Sequence, residues 1–140
     1  MKEKEMKPPL YALLIAVDHG MRTHILYGGK AITIREGHRD YQPGCPVMLC
    51  CHTEPWAVMA DITSVRHTTI AKVTKEEYEA DDFHSRKDLL EGLRRFYPNI
   101  DMNSPVTVIR WENVRGWLMD HCVEYRIQPQ KLYSKINPKK

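Results

Sequence analysis

The chain has 140 residues, 42% hydrophobic and 28% charged, which leads us to expect one globular domain with a real core and no room for a second. No apolar run approaches the roughly 20 residues of a membrane-spanning helix, so no membrane association is expected. The net charge of +3 is concentrated at the C-terminal end, where Arg126, Lys131, Lys135, Lys139 and Lys140 stand without any acid and leave the rest of the chain at −2.

Residues 1–9 read as a flexible leader closed by Pro8 and Pro9. The apolar run "LYALLIAV" that follows is short and has no small-residue cleavage pattern after it, so the expected location is the cytoplasm. By periodicity this run is either a buried strand or the start of a helix. Val17, Met21 and Ile25 recur four apart and predict a short helix over 18–27, stopped by Gly28 and Gly29. Lys30 to Arg35 alternates apolar and polar residues and reads as a strand. "GHRDYQPGCP" is a loop, and "VMLCCHT" is a second strand.

On that second strand Cys50 and Cys51 are neighbours and therefore point to opposite faces. With Cys45 and Cys122 they form no C-x-x-C pattern, and no H-x-x-x-H spacing accompanies them. Buried thiols are expected, with no metal and no cofactor.

"AVMADITSVRHTTIAKV" predicts one long or two shorter strands. Thr74, with Glu77 three residues later, is a capping box that opens a helix. In "SRKDLLEGLRRFYPN", Leu89, Leu93 and Phe96 fall on one helical face with Leu90 beside them, and Pro98 ends the run. "PVTVIRWENV" supplies the closing strand. Residues 10–114 thus read as a small mixed domain on an antiparallel sheet or barrel. Residues 115–140 form an extension whose basic, proline-bearing tail is either merely solvated or in reach of a phosphate backbone.

Gly28, Lys30, Thr33 and Arg35 stand at the spacing G-x-K-x-x-T-x-R. This resembles the signature of the ASCH domain family, usually G-x-K-x-x-E-x-R. Its flanks "ILYGGKAITIR", "YQPGCPVML", "LLEGLRRFYPN" and "VTVIRWENV" come in the order of the short bacterial ASCH proteins. Some of these hydrolyse N(4)-acetylcytidine and also place threonine where many relatives have glutamate. The resemblance spans roughly Leu10 to Val114. It implies an α+β fold, a PUA-like small β-barrel with short flanking helices, and a cleft that binds RNA or a modified nucleoside.

For the amidohydrolase the resemblance implies Thr33 as nucleophile, Lys30 as base and a carboxylate at Asp82, or at Asp81 if the register shifts by one. Gly28, Gly29 and Arg35 would hold the ligand. From the residues alone, glycines permit close approach of a ligand, arginine is a planar fork and lysine a flexible point charge, which suits a phosphate or a base edge. A lysine works as a base only where burial or a neighbouring cation lowers its pKa, and Arg35 stands two positions beyond Thr33. On a regular strand Lys30 and Thr33 would face opposite ways, so Lys30 is expected in the bend after the glycines. Tyr41, Trp56 and Trp111 are the aromatics available to stack on a base, or else core residues. Two other readings of the cleft are a non-catalytic RNA-binding or regulatory adaptor and a ribonuclease.

Overall fold

Strands form in this chain where apolar residues recur at every second position. The computed structural model describes residues 10–16, 25, 29–51 and 57–116. Among them are five strands: β1 (Tyr11–Ala16), β2 (Ile32–Glu36), β3 (Pro46–Cys51), β4 (Ala57–Thr69) and β5 (Pro105–Arg115). Two short helices, α1 (Lys75–Ala80) and α2 (Arg86–Arg94), and a 3-10 turn over Ile70–Lys72 lie between β4 and β5. The leader, residues 117–140 of the C-terminal extension and all of the predicted 18–27 helix except Ile25 lie outside the described residues, while Arg115 of the extension closes β5.

The strands form one sheet in the order β1-β3-β4-β5-β2. Pairing is antiparallel for β3–β4, β4–β5 and β2–β5, but β1 runs parallel to β3, so the sheet is mixed rather than antiparallel throughout. "LYALLIAV" therefore resolves as strand, and "AVMADITSVRHTT" as one long strand. The β4–β5 ladder shifts register at Met59/Asp61 and at Ile62/Ser64, irregularities of the kind that bend and twist a long pair. The sheet curls into a half-barrel, matching the expected PUA-like α+β architecture.

Two apolar clusters hold it. Val47 and Leu49 of β3, Val58, Ala60 and Ile62 of β4, and Ile109 and Trp111 of β5 pack together with Leu13 and Ile25. Val106 and Val108, on alternate positions of β5 and therefore on its other face, join Ile32 and Ile34 of β2 beneath the helices. Leu89, Leu90 and Leu93 supply the helical side of this second cluster. Phe96, expected on the same buried face, lies two residues beyond the end of α2 at Arg94 and is 49% exposed.

Local chemistry accounts for the helix ends. Thr74 Oγ1 accepts from the Glu77 N–H, and the Glu77 carboxylate accepts from the Thr74 N–H, so the predicted capping box is formed in full. Ser85 caps α2 by accepting from the Asp88 N–H. The loop before β3 turns on Gly37 and Gly44, both with φ near +90°, a region open to glycine and strained for a side chain. Thr107, fully buried, ties this loop to β5: its hydroxyl donates to Gly37 O at 2.6 Å and accepts from the Arg39 N–H at 2.8 Å.

Candidate functional site

β1 and β2 are the two edges of the sheet, and curling brings them close enough for a side chain to bridge them. Arg35 Nη2, on β2, donates to the carbonyl of Leu14 on β1. Beside this seam lies a cavity of about 500 Å³, within the range of small-molecule sites. Leu14, Thr33 and Arg35 line its strand side. Asp81, Asp82 and Phe83 and the end of α2 line the other.

Lys30, in the segment just before β2, is 4% exposed and faces the same cavity as Thr33. Its Nζ donates to Asp81 Oδ1, and both side chains of the pair are buried. Burial lowers the Lys30 ammonium from 10.5 to about 8, with the Asp82 charge pulling upward and the Arg35 charge pulling further down. Roughly a tenth of such a lysine is neutral at pH 7, against about one in three thousand of an ordinary one.

Asp81 owes its position to the way α1 stops. Its own N–H is held by the Glu77 and Glu79 carbonyls, and it is 8% exposed. Asp82 follows in the left-handed region at φ 66°. Its N–H bonds to Glu79 O and the Phe83 N–H to Tyr78 O, the paired closing bonds of a Schellman motif with Asp82 at the residue beyond the cap. This turn sends Asp81 inward to Lys30 and leaves Asp82 exposed at the cavity's edge. Of the two carboxylates left open by the sequence, the one in contact with Lys30 is Asp81; Asp82 acts on it through charge.

Gly29 lies exposed in the bend that leads into Lys30, and Gly28 lies outside the described residues. Thr33 is buried on β2, opposite Ile109 of β5. Of the aromatics considered from sequence, Trp111 is in the core and Tyr41 packs edge-on against Tyr11 at 4.9 Å, while Trp56 lies outside the described residues. The rings that do line the cavity are Phe83, Phe96 and Tyr97. Both phenylalanines of the chain are thus at this site, a scarcity that the sequence displayed without saying where they would meet. Arg95 sits over the Phe96 ring at 5.8 Å. Cys45 and Cys51 are buried, and no group of three or more His, Cys, Asp or Glu is placed to hold a metal among the described residues.

No family model matches the sequence, and no curated protein matches it. Solved structures do. An ASCH domain from Lactobacillus crispatus superposes with a TM-score of 0.57 at 14% identity, over 74% of this chain and 78% of that one. The fold is that of ASCH domain structures. The ASCH protein of Zymomonas mobilis gives 0.51 at 10% identity, covering 86% of this chain and 80% of its own. A protein from Enterococcus faecalis gives 0.50 at 11% identity over 78% and 81%. These similarities concern the fold, while the chemistry rests on the residues at the seam.

Proposed function

We propose that the chain is an ASCH-family protein whose seam cavity binds RNA or a modified nucleoside, and that its reaction is hydrolysis of the acetyl amide of N(4)-acetylcytidine. The observation that carries this reading is the buried Lys30, lowered to about 8 and touching Asp81, in the same cavity as the buried Thr33 hydroxyl. Three aromatic rings at the cavity favour a planar ligand.

In this reading Thr33 Oγ1 attacks the acetyl carbonyl carbon and its proton passes to the neutral Lys30 Nζ. Asp81 stabilises the ammonium so formed, as a carboxylate does beside an imidazolium in a catalytic triad. The tetrahedral adduct collapses with cleavage of the C–N bond, and the departing exocyclic amine takes the proton back from Lys30. Water, giving a proton to Lys30 in turn, then attacks the acetyl–threonine ester; as the ester C–O bond breaks, Lys30 returns that proton to Thr33 Oγ1, releasing acetic acid and restoring both the hydroxyl and the neutral amine. The Arg35 charge beside Lys30 helps to keep the amine available between turnovers.

The test is incubation of the purified protein with N(4)-acetylcytidine, followed chromatographically as conversion to cytidine. Turnover that Thr33→Ala and Lys30→Ala each abolish in folded protein is the expected result. Absence of turnover by folded wild-type protein overturns the hydrolase and leaves a base-binding module, in which Lys30 and Arg35 serve affinity and Thr33 is dispensable.

A further inference from the structure

Gly92 sits inside α2, where glycine is the poorest residue short of proline for holding a helix. A local preference overridden in this way points to a demand from packing or from a site. Here the demand is visible. A Cβ built at position 92 would stand 2.5 Å from Phe83 Cε1, closer than real Cβ atoms come, and 3.0 Å from Cζ, so the ring would have to shift. The Phe83 ring therefore packs this close to α2 only because residue 92 has no side chain. Phe83 and Gly92 both line the seam cavity, and Phe83 directly follows the carboxylates Asp81 and Asp82.

We infer that Gly92 is a positioning residue for the Phe83 wall of the cavity, and that this pair sets the width of the slot that admits a planar base. The inference rests on the nucleobase reading given above. Phe83 is partly buried, with one side packed on the second apolar cluster and the other at the cavity, so a push from α2 is relieved toward the open side. Leu14 and Phe96, each 49% exposed, also line the cavity and make its rim apolar. On this inference a ring driven off Gly92 moves into the cavity that both residues line and narrows the slot.

The experiment compares wild type, Gly92→Ala, Phe83→Leu and the double variant by kcat and KM for N(4)-acetylcytidine, together with crystal structures of ligand-free wild type and Gly92→Ala. Alanine is the better helix former, so the single variant is expected to fold. We expect KM to rise about tenfold with kcat nearly unchanged, the size of effect that one misplaced methylene has in an apolar pocket. We expect the Phe83 ring of Gly92→Ala to be displaced into the cavity, and Phe83→Leu to restore KM in the Gly92→Ala background. An unchanged KM, or a raised KM that Phe83→Leu does not restore, overturns the inference.

The two readings fail separately. If folded wild type neither binds nor converts N(4)-acetylcytidine, the substrate is wrong, and the crystal structures decide the role of Gly92 by themselves. A ring moved into the cavity then supports the gauge, and a ring swung out to solvent with the cavity unchanged overturns it.

Discussion

Lys30 and Asp81, 51 residues apart in the chain, meet inside the fold with side chains only 5% and 7% exposed. One arrives from the bend before β2 and the other from the last turn of α1, so the contact joins the strand and helical sides of the cavity. An ion pair this deep is held by geometry, since two buried charges cost more in lost hydration than an exposed pair does. Removing either partner strands the other.

Lys30→Met should therefore destabilise the protein by about 3 kcal/mol, because Asp81 is left buried without its cation. Asp81→Asn should cost less, since the amide keeps a hydrogen-bond acceptor toward Lys30. A double variant, Lys30→Met with Asp81→Leu, should lose markedly less than the two single changes added together. Urea denaturation of the set measures this coupling. Additive losses would mean that the pair does not act as a unit.

The two adjacent carboxylates have separable duties. Asp82 is left-handed at φ 66°, so Asp82→Gly should leave the turn intact or stabilise it by about 1 kcal/mol, while removing a charge that favours the protonated lysine. Turnover should persist in Asp82→Gly, with its pH dependence shifted to lower pH, and should collapse in Asp81→Asn. The reverse outcome, loss in Asp82→Gly and survival in Asp81→Asn, would give the catalytic carboxylate to Asp82.

Away from the cavity, the Glu77 carboxylate both completes the cap of α1 and takes Arg66 Nε and Nη2 at 2.7 Å each. Burial alone would raise the Glu77 carboxyl, but the Arg66 bonds and the Thr74 N–H outweigh it and hold it below its ordinary 4.5. A depressed carboxyl stabilises the fold above the unfolded value and loses that contribution as pH falls through the folded value. Wild type should thus lose stability below about pH 4.5 more steeply than Glu77→Gln does. Thr74→Ala should cost about 1 kcal/mol at neutral pH. Thermal melts between pH 3 and 7 check both.

Much of this architecture was legible because short-range rules were strong. The alternation in β2, the β-favouring runs of β3 and β4, the Thr74 capping box and the leucines of α2 each appear where the pattern puts them. The parallel pairing of β1 with β3 was not, since periodicity identifies a strand without giving its direction or neighbour. Motif spacing found Lys30, Thr33 and Arg35, which one strand and its entry bend bring to one cavity. The carboxylate was left uncertain by one residue. A family resemblance sets a register only to the nearest position, whereas the inward turn at Asp81 depends on a left-handed Asp82 that composition does not announce. Phe83 was missed because it belongs to neither the motif nor a periodic face.

The bridge between Arg35 and Leu14 makes a further claim about the seam. The Arg35 guanidinium contacts a backbone carbonyl, so lysine, a point charge without the planar fork, is a poor substitute. Arg35→Met should loosen the β1 edge and remove a cation that lowers Lys30. Amide exchange should accelerate in residues 11–16 while the helices keep their protection. Unchanged exchange in β1 would show that the curl is held by the core alone.

The last expectation concerns pH at the site. If neutral Lys30 is the base, kcat/KM should rise with pH and level off above about 8, the value to which burial lowers this ammonium. The same shift acts on stability with a definite sign. Below about 8 both folded and unfolded lysine are protonated and the penalty of burying the charge is full. Between about 8 and 10.5 the unfolded chain binds more protons than the folded one, so the contribution of this group to stability grows as pH rises. Activity and the Lys30 share of stability should therefore climb in succession, activity up to about pH 8 and stability beyond it. A 13C-Lys titration by NMR locates the folded value directly. A Lys30 resonance titrating near 10.5, with kcat/KM flat across pH 7 to 9, would remove Lys30 from the role of base.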